Sequence, residues 1–122
     1  MADIQHSLEE IMQIPGALGA ALVDYSSGMT LGTAGNGAFD LELAAAGNTE
    51  VMRAQMMTMG SLNLEDRVED VLISLSTQFH LMRPLTSAAG DGLFLYAAID
   101  RERSNLALAR RILQNVERTL DV

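Results

Sequence analysis

The chain has 122 residues, of which 48% are apolar and 20% charged, and its formal net charge is −8. Such a composition is globular and not disordered, and the length suits one domain over 1–122 that buries roughly two-thirds of its unfolded surface. The acidic excess disfavours nucleic acid and anionic membrane surfaces, and it would attract a basic protein partner.

Cysteine is absent, which excludes disulfides, thiolate nucleophiles and cysteine metal sites. All eight basic residues are arginine. Without lysine there is no phosphate-loop lysine, Schiff base or lysine general base. No apolar run approaches the ~20 residues of a membrane span. The opening "MADIQHSLEE" lacks the basic flank and apolar core of a secretory signal, so a cytoplasmic location is expected.

Ile4, Leu8, Ile11 and Met12 recur at helical spacing over 3–13, with Asp3 as cap and Pro15-Gly16 as stop. "ALGAALVDY" (17–25) is a nearly unbroken apolar run, as expected of a central strand covered on both faces. "SSG" (26–28) turns the chain into a second strand, "MTLGTA" (29–34). Asp40 is a suitable N-cap for a helix from about Leu41 to Gly60. After the acidic stretch 63–70, "VLISLS" (71–76), "TQFHLMR" (77–83) and "LFLYAAID" (93–100) read as strands. In the last helix (104–120), Leu106, Ala109, Leu113, Val116 and Leu120 form one stripe, with Arg110, Arg111, Glu117 and Arg118 facing mostly away. The order is helix, two strands, helix, three strands, helix. Short connections imply antiparallel pairing, so the class is α+β.

The second helix is unusual. Four of the eight methionines lie in "VMRAQMMTMGSL" (51–62). On a helical wheel Leu41, Ala45, Met52, Met56 and Met59 share a wedge of roughly 60°. Leu43, Ala44, Gly47, Val51 and Ala54 form a second apolar face well over 100° away. A sheet covers one face only, and the other two helices each have a single stripe that already needs the sheet. Methionine also fills core gaps, so all of these could be core. The two-faced wheel favours an interface with another chain at Met52, Met56 and Met59, with Gly47 opposite allowing close backbone approach. Arg53 sits on the polar seam, either solubilising it or touching a partner.

Signals for chemistry are weak. His6 lies off the stripe of its helix, and His80 alternates with Gln78 and Met82 along a strand without an acidic neighbour. The carboxylates and two histidines make no metal-ligand spacing. "GTAGNG" (32–37) lies between a strand and a helix, but its glycine order is wrong for a dinucleotide loop and a connector explains it better. Asp24 followed by "SSG" reads as a capped turn and not a serine site. Glu65, Asp66, Glu69 and Asp70 suit a solvated face or the steering of a basic partner. No catalytic, cofactor-binding or metal residue is assigned.

Together "LEEIMQIPGALGAALVDYSSGMTLG", "ELAAAG" and "FLYAAIDRERSNLALARRIL" resemble the Roadblock/LC7 domains. Nearly the whole chain takes part, and "HLMRPL" before the last strand is closer to the bacterial branch. The resemblance implies a five-stranded antiparallel sheet flanked by three helices. It implies a homodimer formed through the second helix and the third strand, so that Val71, Ile73 and Leu75 join two sheets across a two-fold axis. It further implies a non-catalytic platform that modulates a small Ras-like GTPase, docked on the paired second helices, where Arg53 and Gln55 offer polar contacts. A ligand-sensing or signalling adaptor of similar fold is the alternative, and a pocket lined by Phe79, Phe94 or Tyr96 would favour it.

Overall fold

The computed structural model describes residues 2–37 and 40–122. Helix α1 spans Ile4–Ile11, strands β1 and β2 span Ala17–Asp24 and Met29–Gly35, and helix α2 spans Leu41–Ser61. Strands β3, β4 and β5 span Val71–Ser74, Gln78–Pro84 and Leu93–Asp100, and helix α3 spans Leu106–Thr119. Both expected caps are made: Asp3 accepts from the His6 amide and Asp40 from the Leu43 amide.

The strands form one five-stranded sheet in the order β2-β1-β5-β4-β3, and every pairing is antiparallel. Inner strands β1 and β5 set Leu22 opposite Leu95. Consecutive residues 20–23 of β1 are all buried, as its unbroken apolar run requires. Alternation along the strands then divides the core in two. On one face Leu22, Leu81, Leu95 and Ile99 meet Leu8 and Ile11 of α1 and Leu113 and Val116 of α3. On the other face Val23, Met82, Phe94 and Tyr96 meet Ala45 and Met52 of α2. Each large side chain removed from water in these layers contributes about 1.5–3 kcal/mol.

Gly19 and Gly35, paired between β1 and β2, let α2 seat its first turn on the sheet. A Cβ on Gly19 would lie 2.8 Å from Leu41 Cδ2, and one on Gly35 would lie 3.1 Å from Leu41 Cδ1. The run "GTAGNG", expected to be a connector, instead lies mainly in β2: Gly32 to Gly35 are strand residues, and Leu41 lies over Gly35.

The third strand is shorter than its sequence suggests. The Leu75 amide donates to the Gln78 carbonyl at 2.8 Å, which closes the β3–β4 turn and leaves Leu75 exposed beyond the strand. No helix among the described residues is long and apolar enough to cross a membrane.

Candidate interaction surfaces

Helix α2 decides what this molecule can present. Its 21 residues make a rod of roughly 31 Å. Ala45, Thr49 and Met52 are buried, and Leu41 and Met56 pack at the edge of the same core. Met52 is 0% exposed. Met52, placed at an interface from the sequence, therefore lies under the helix against the sheet, with Met56 at the edge of the same core. Beneath it lie small residues, Gly19, Ala21 and Ala98, beside Phe94 and Tyr96. Long unbranched side chains fill that uneven floor well. Met59 is half-buried, at the mouth of a cleft of about 420 Å³ shared with Tyr25, Met56, Val68 and Leu85.

The opposite face of α2 is bare. Leu43 is 70% exposed, Met57 72% and Val51 38%. A Cβ built on Gly47 would touch nothing within 4 Å. The sequence therefore revealed two apolar faces correctly, and the fold reverses which one is left outside.

Arg53 has an intramolecular task. Its Nε donates to the Tyr25 carbonyl at 2.7 Å and a terminal nitrogen donates to the Ser26 carbonyl. A second terminal nitrogen meets Glu50 Oε1 at 2.9 Å. The guanidinium ties the β1–β2 turn to α2, an intramolecular role that its place on the polar seam did not signal. That turn is also capped from within, because Asp24 Oδ1 accepts from the Ser26 amide at 2.9 Å and hydroxyl at 2.7 Å. The Ser26 hydroxyl, with backbone donors, holds the Asp24 carboxyl below its ordinary range. Gln55 is exposed and lines a shallow groove with Met59, Leu64, Arg67 and Val71.

Strand β3 is the outermost strand beyond β4. Val71 and Ile73 are half-buried on the α2 side, packed against the Met82–Tyr96 core. Beside them His80 stacks edge-on against Tyr96, with ring centroids 5.6 Å apart, and its Nε2 lies 2.8 Å from Gln78 Oε1. Partial burial pushes the His80 imidazole pKa down. Burial pushes the Tyr96 hydroxyl up to about 12. His6 is exposed and sits 3.0 Å from Glu10, a surface contact one turn away. Phe94 and Tyr96 are packed core residues, and Phe79 is covered by the Arg101 guanidinium at 4.7 Å.

One partly buried ion pair carries no signal in the sequence. Glu117 does not face outward with the arginines of α3. It accepts from Arg83 Nε at 3.1 Å, and the two side chains are 6% and 15% exposed. Glu117 also accepts from the Thr86 amide at 3.2 Å and the Thr86 hydroxyl at 2.8 Å. Burial alone would raise the Glu117 pKa, but the Thr86 donors and the Arg83 charge outweigh it and hold the carboxyl below its ordinary value.

The architecture is that of a Roadblock/LC7-like domain, and comparison with solved structures bears this out. The Roadblock/LC7 domain from Streptomyces avermitilis superposes with a TM-score of 0.80 at 15% identity, covering 97% of this chain and 94% of that one. An MglB with a tetrameric arrangement gives 0.76 at 18% identity, covering 93% and 81%. Myxococcus xanthus MglB gives 0.73 at 16% identity, covering 93% and 84%. No protein-family model and no curated protein sequence matches the chain. At these identities the likeness is one of fold.

Proposed function

We propose that the chain is a homodimeric, non-catalytic regulatory scaffold of the cytoplasm that binds and modulates a small Ras-like GTPase. The observation that carries this reading is the bare apolar face of α2. Leu43, Val51 and Met57 lie along it, whereas the apolar stripes of α1 and α3 are packed into the core. Covering them would contribute roughly 1–3 kcal/mol apiece. Gly47 lets a second backbone approach closely. The edge strand Val71–Ser74 supplies a second contact, because an unpaired edge invites another strand. The tetrameric arrangement of one MglB of this fold supports self-association here as well.

The small GTPase enters through the resemblance of the sequence to Roadblock/LC7 domains of the bacterial branch. In this reading the partner docks beside the paired second helices, and the exposed Gln55 is one of its polar contacts. The test is calorimetry against the small GTPases of the source organism in GDP and GTP-analogue states. Binding to one of them in at least one state, with altered nucleotide turnover, is expected. Absence of binding to all of them, or GTP hydrolysis by this chain alone, would overturn the GTPase reading.

A further inference from the structure

On the sheet face opposite α2, arginines gather along α3. Arg110, Arg111 and Arg118 line an open cleft of about 430 Å³ together with Arg83 of β4 and the carboxylates Glu69 and Asp70. Two of the four guanidiniums are neutralised: Arg83 by Glu117 and Arg110 by Asp70 at 3.2 Å. Among the described residues, Arg111 and Arg118 meet no carboxylate, and both are exposed. They stand seven residues apart, about 10.5 Å along the axis and within about 20° of one direction. Gln114 lies between them on the same stripe and adds an amide. A chain of net charge −8 thus keeps two unneutralised guanidiniums side by side on one helix.

We infer that this arginine stripe of α3 is a second docking face, and that its occupant is an acidic segment of a partner protein. Guanidinium forks match carboxylates in two-pronged geometry. Carboxylates about 10 Å apart, reached by residues i and i+3 of a polyproline II segment or i and i+7 of a helix, would meet Arg111 and Arg118 together. A small free anion fits less well, because the cleft is open and the cations are spread over two turns. Nucleic acid fits less well too, because its binding needs many phosphates neutralised and this stripe offers only two unpaired arginines. The stripe lies across the sheet from α2, so the inference does not depend on the α2 contact or on the GTPase.

The experiment is fluorescence anisotropy at low salt with a labelled peptide of about ten residues rich in glutamate. The same peptide with glutamine throughout, and a short oligothymidylate, are the comparison probes. Arg111→Glu with Arg118→Glu is set against Arg67→Glu with Arg103→Glu, which changes the total charge equally. The acidic peptide is expected to bind, to weaken by about tenfold in the first pair and less than about twofold in the second, and to weaken with salt. Should the first pair fail to fold by circular dichroism, Arg111→Gln with Arg118→Gln replaces it. No binding to the wild type, equal losses in both pairs, or binding of the oligothymidylate but not the peptide would overturn the inference.

Discussion

Arg53 on α2 donates from Nε to the carbonyl of Tyr25, 28 residues earlier in the chain, at 2.7 Å, joining the helix to the β1–β2 turn. A second bond to the Ser26 carbonyl makes this a two-point clamp. Charged donors to backbone carbonyls contribute more than neutral ones, but the side chain is part-exposed and solvent discounts it. Arg53→Ala should cost about 1–2 kcal/mol, read as a melting temperature several degrees lower, with self-association intact. An unchanged melting temperature with weakened partner binding would restore Arg53 to a contact role.

The two faces of α2 make opposite predictions. Met52→Ala should destabilise the fold by about 2–5 kcal/mol, since it opens a cavity beneath the helix. Met57→Glu lies on the bare face and should leave the monomer fold intact while breaking self-association. Chemical denaturation and sedimentation of both variants separate the effects. The reverse pattern, a stable but monomeric Met52→Ala, would put the methionine face back at an interface.

Glu117 supplies a pH signature. Its carboxyl is held below the ordinary value of 4.5, so the folded state binds that proton more weakly than the unfolded chain. The stabilisation is present in full above that ordinary value and fades as pH falls through the depressed folded value. Glu117→Gln should therefore melt earlier than wild type at neutral pH, with the gap closing in acid. A gap that stayed constant from pH 7 down to about pH 2 would contradict the assignment.

The edge strand has a defined donor side. Because Leu75 and Gln78 form a hydrogen-bonded pair, alternation gives Ile73 a bonded partner in His80 and leaves the Leu72 and Ser74 amides on the open side. In a dimer joined through β3, those two amides should exchange slowly with solvent. Rapid exchange at Leu72 and Ser74 in an assembled sample would exclude strand pairing and leave α2 as the contact.

Element order, both helix caps and the buried character of β1 were legible because each is set by neighbours in sequence. Asp3, Asp40 and residues 20–23 need no distant partner to declare themselves. The outward face of α2 was not legible. Both faces are apolar, and the choice rests on a floor of Gly19, Ala21 and Ala98 assembled from separate strands. Arg53 escaped because its acceptors are backbone carbonyls, which carry no side-chain signature. Glu117 escaped because helical periodicity gives a direction and not a partner, and Arg83 and Thr86 lie more than 30 residues away.

Self-association through the bare face of α2 is tested most directly by sedimentation equilibrium of the wild type and Met57→Glu. The wild type should sediment at twice the 13.1 kDa chain mass, and the variant as a folded monomer. A well-folded wild-type monomer at about 100 μM would contradict the dimeric scaffold.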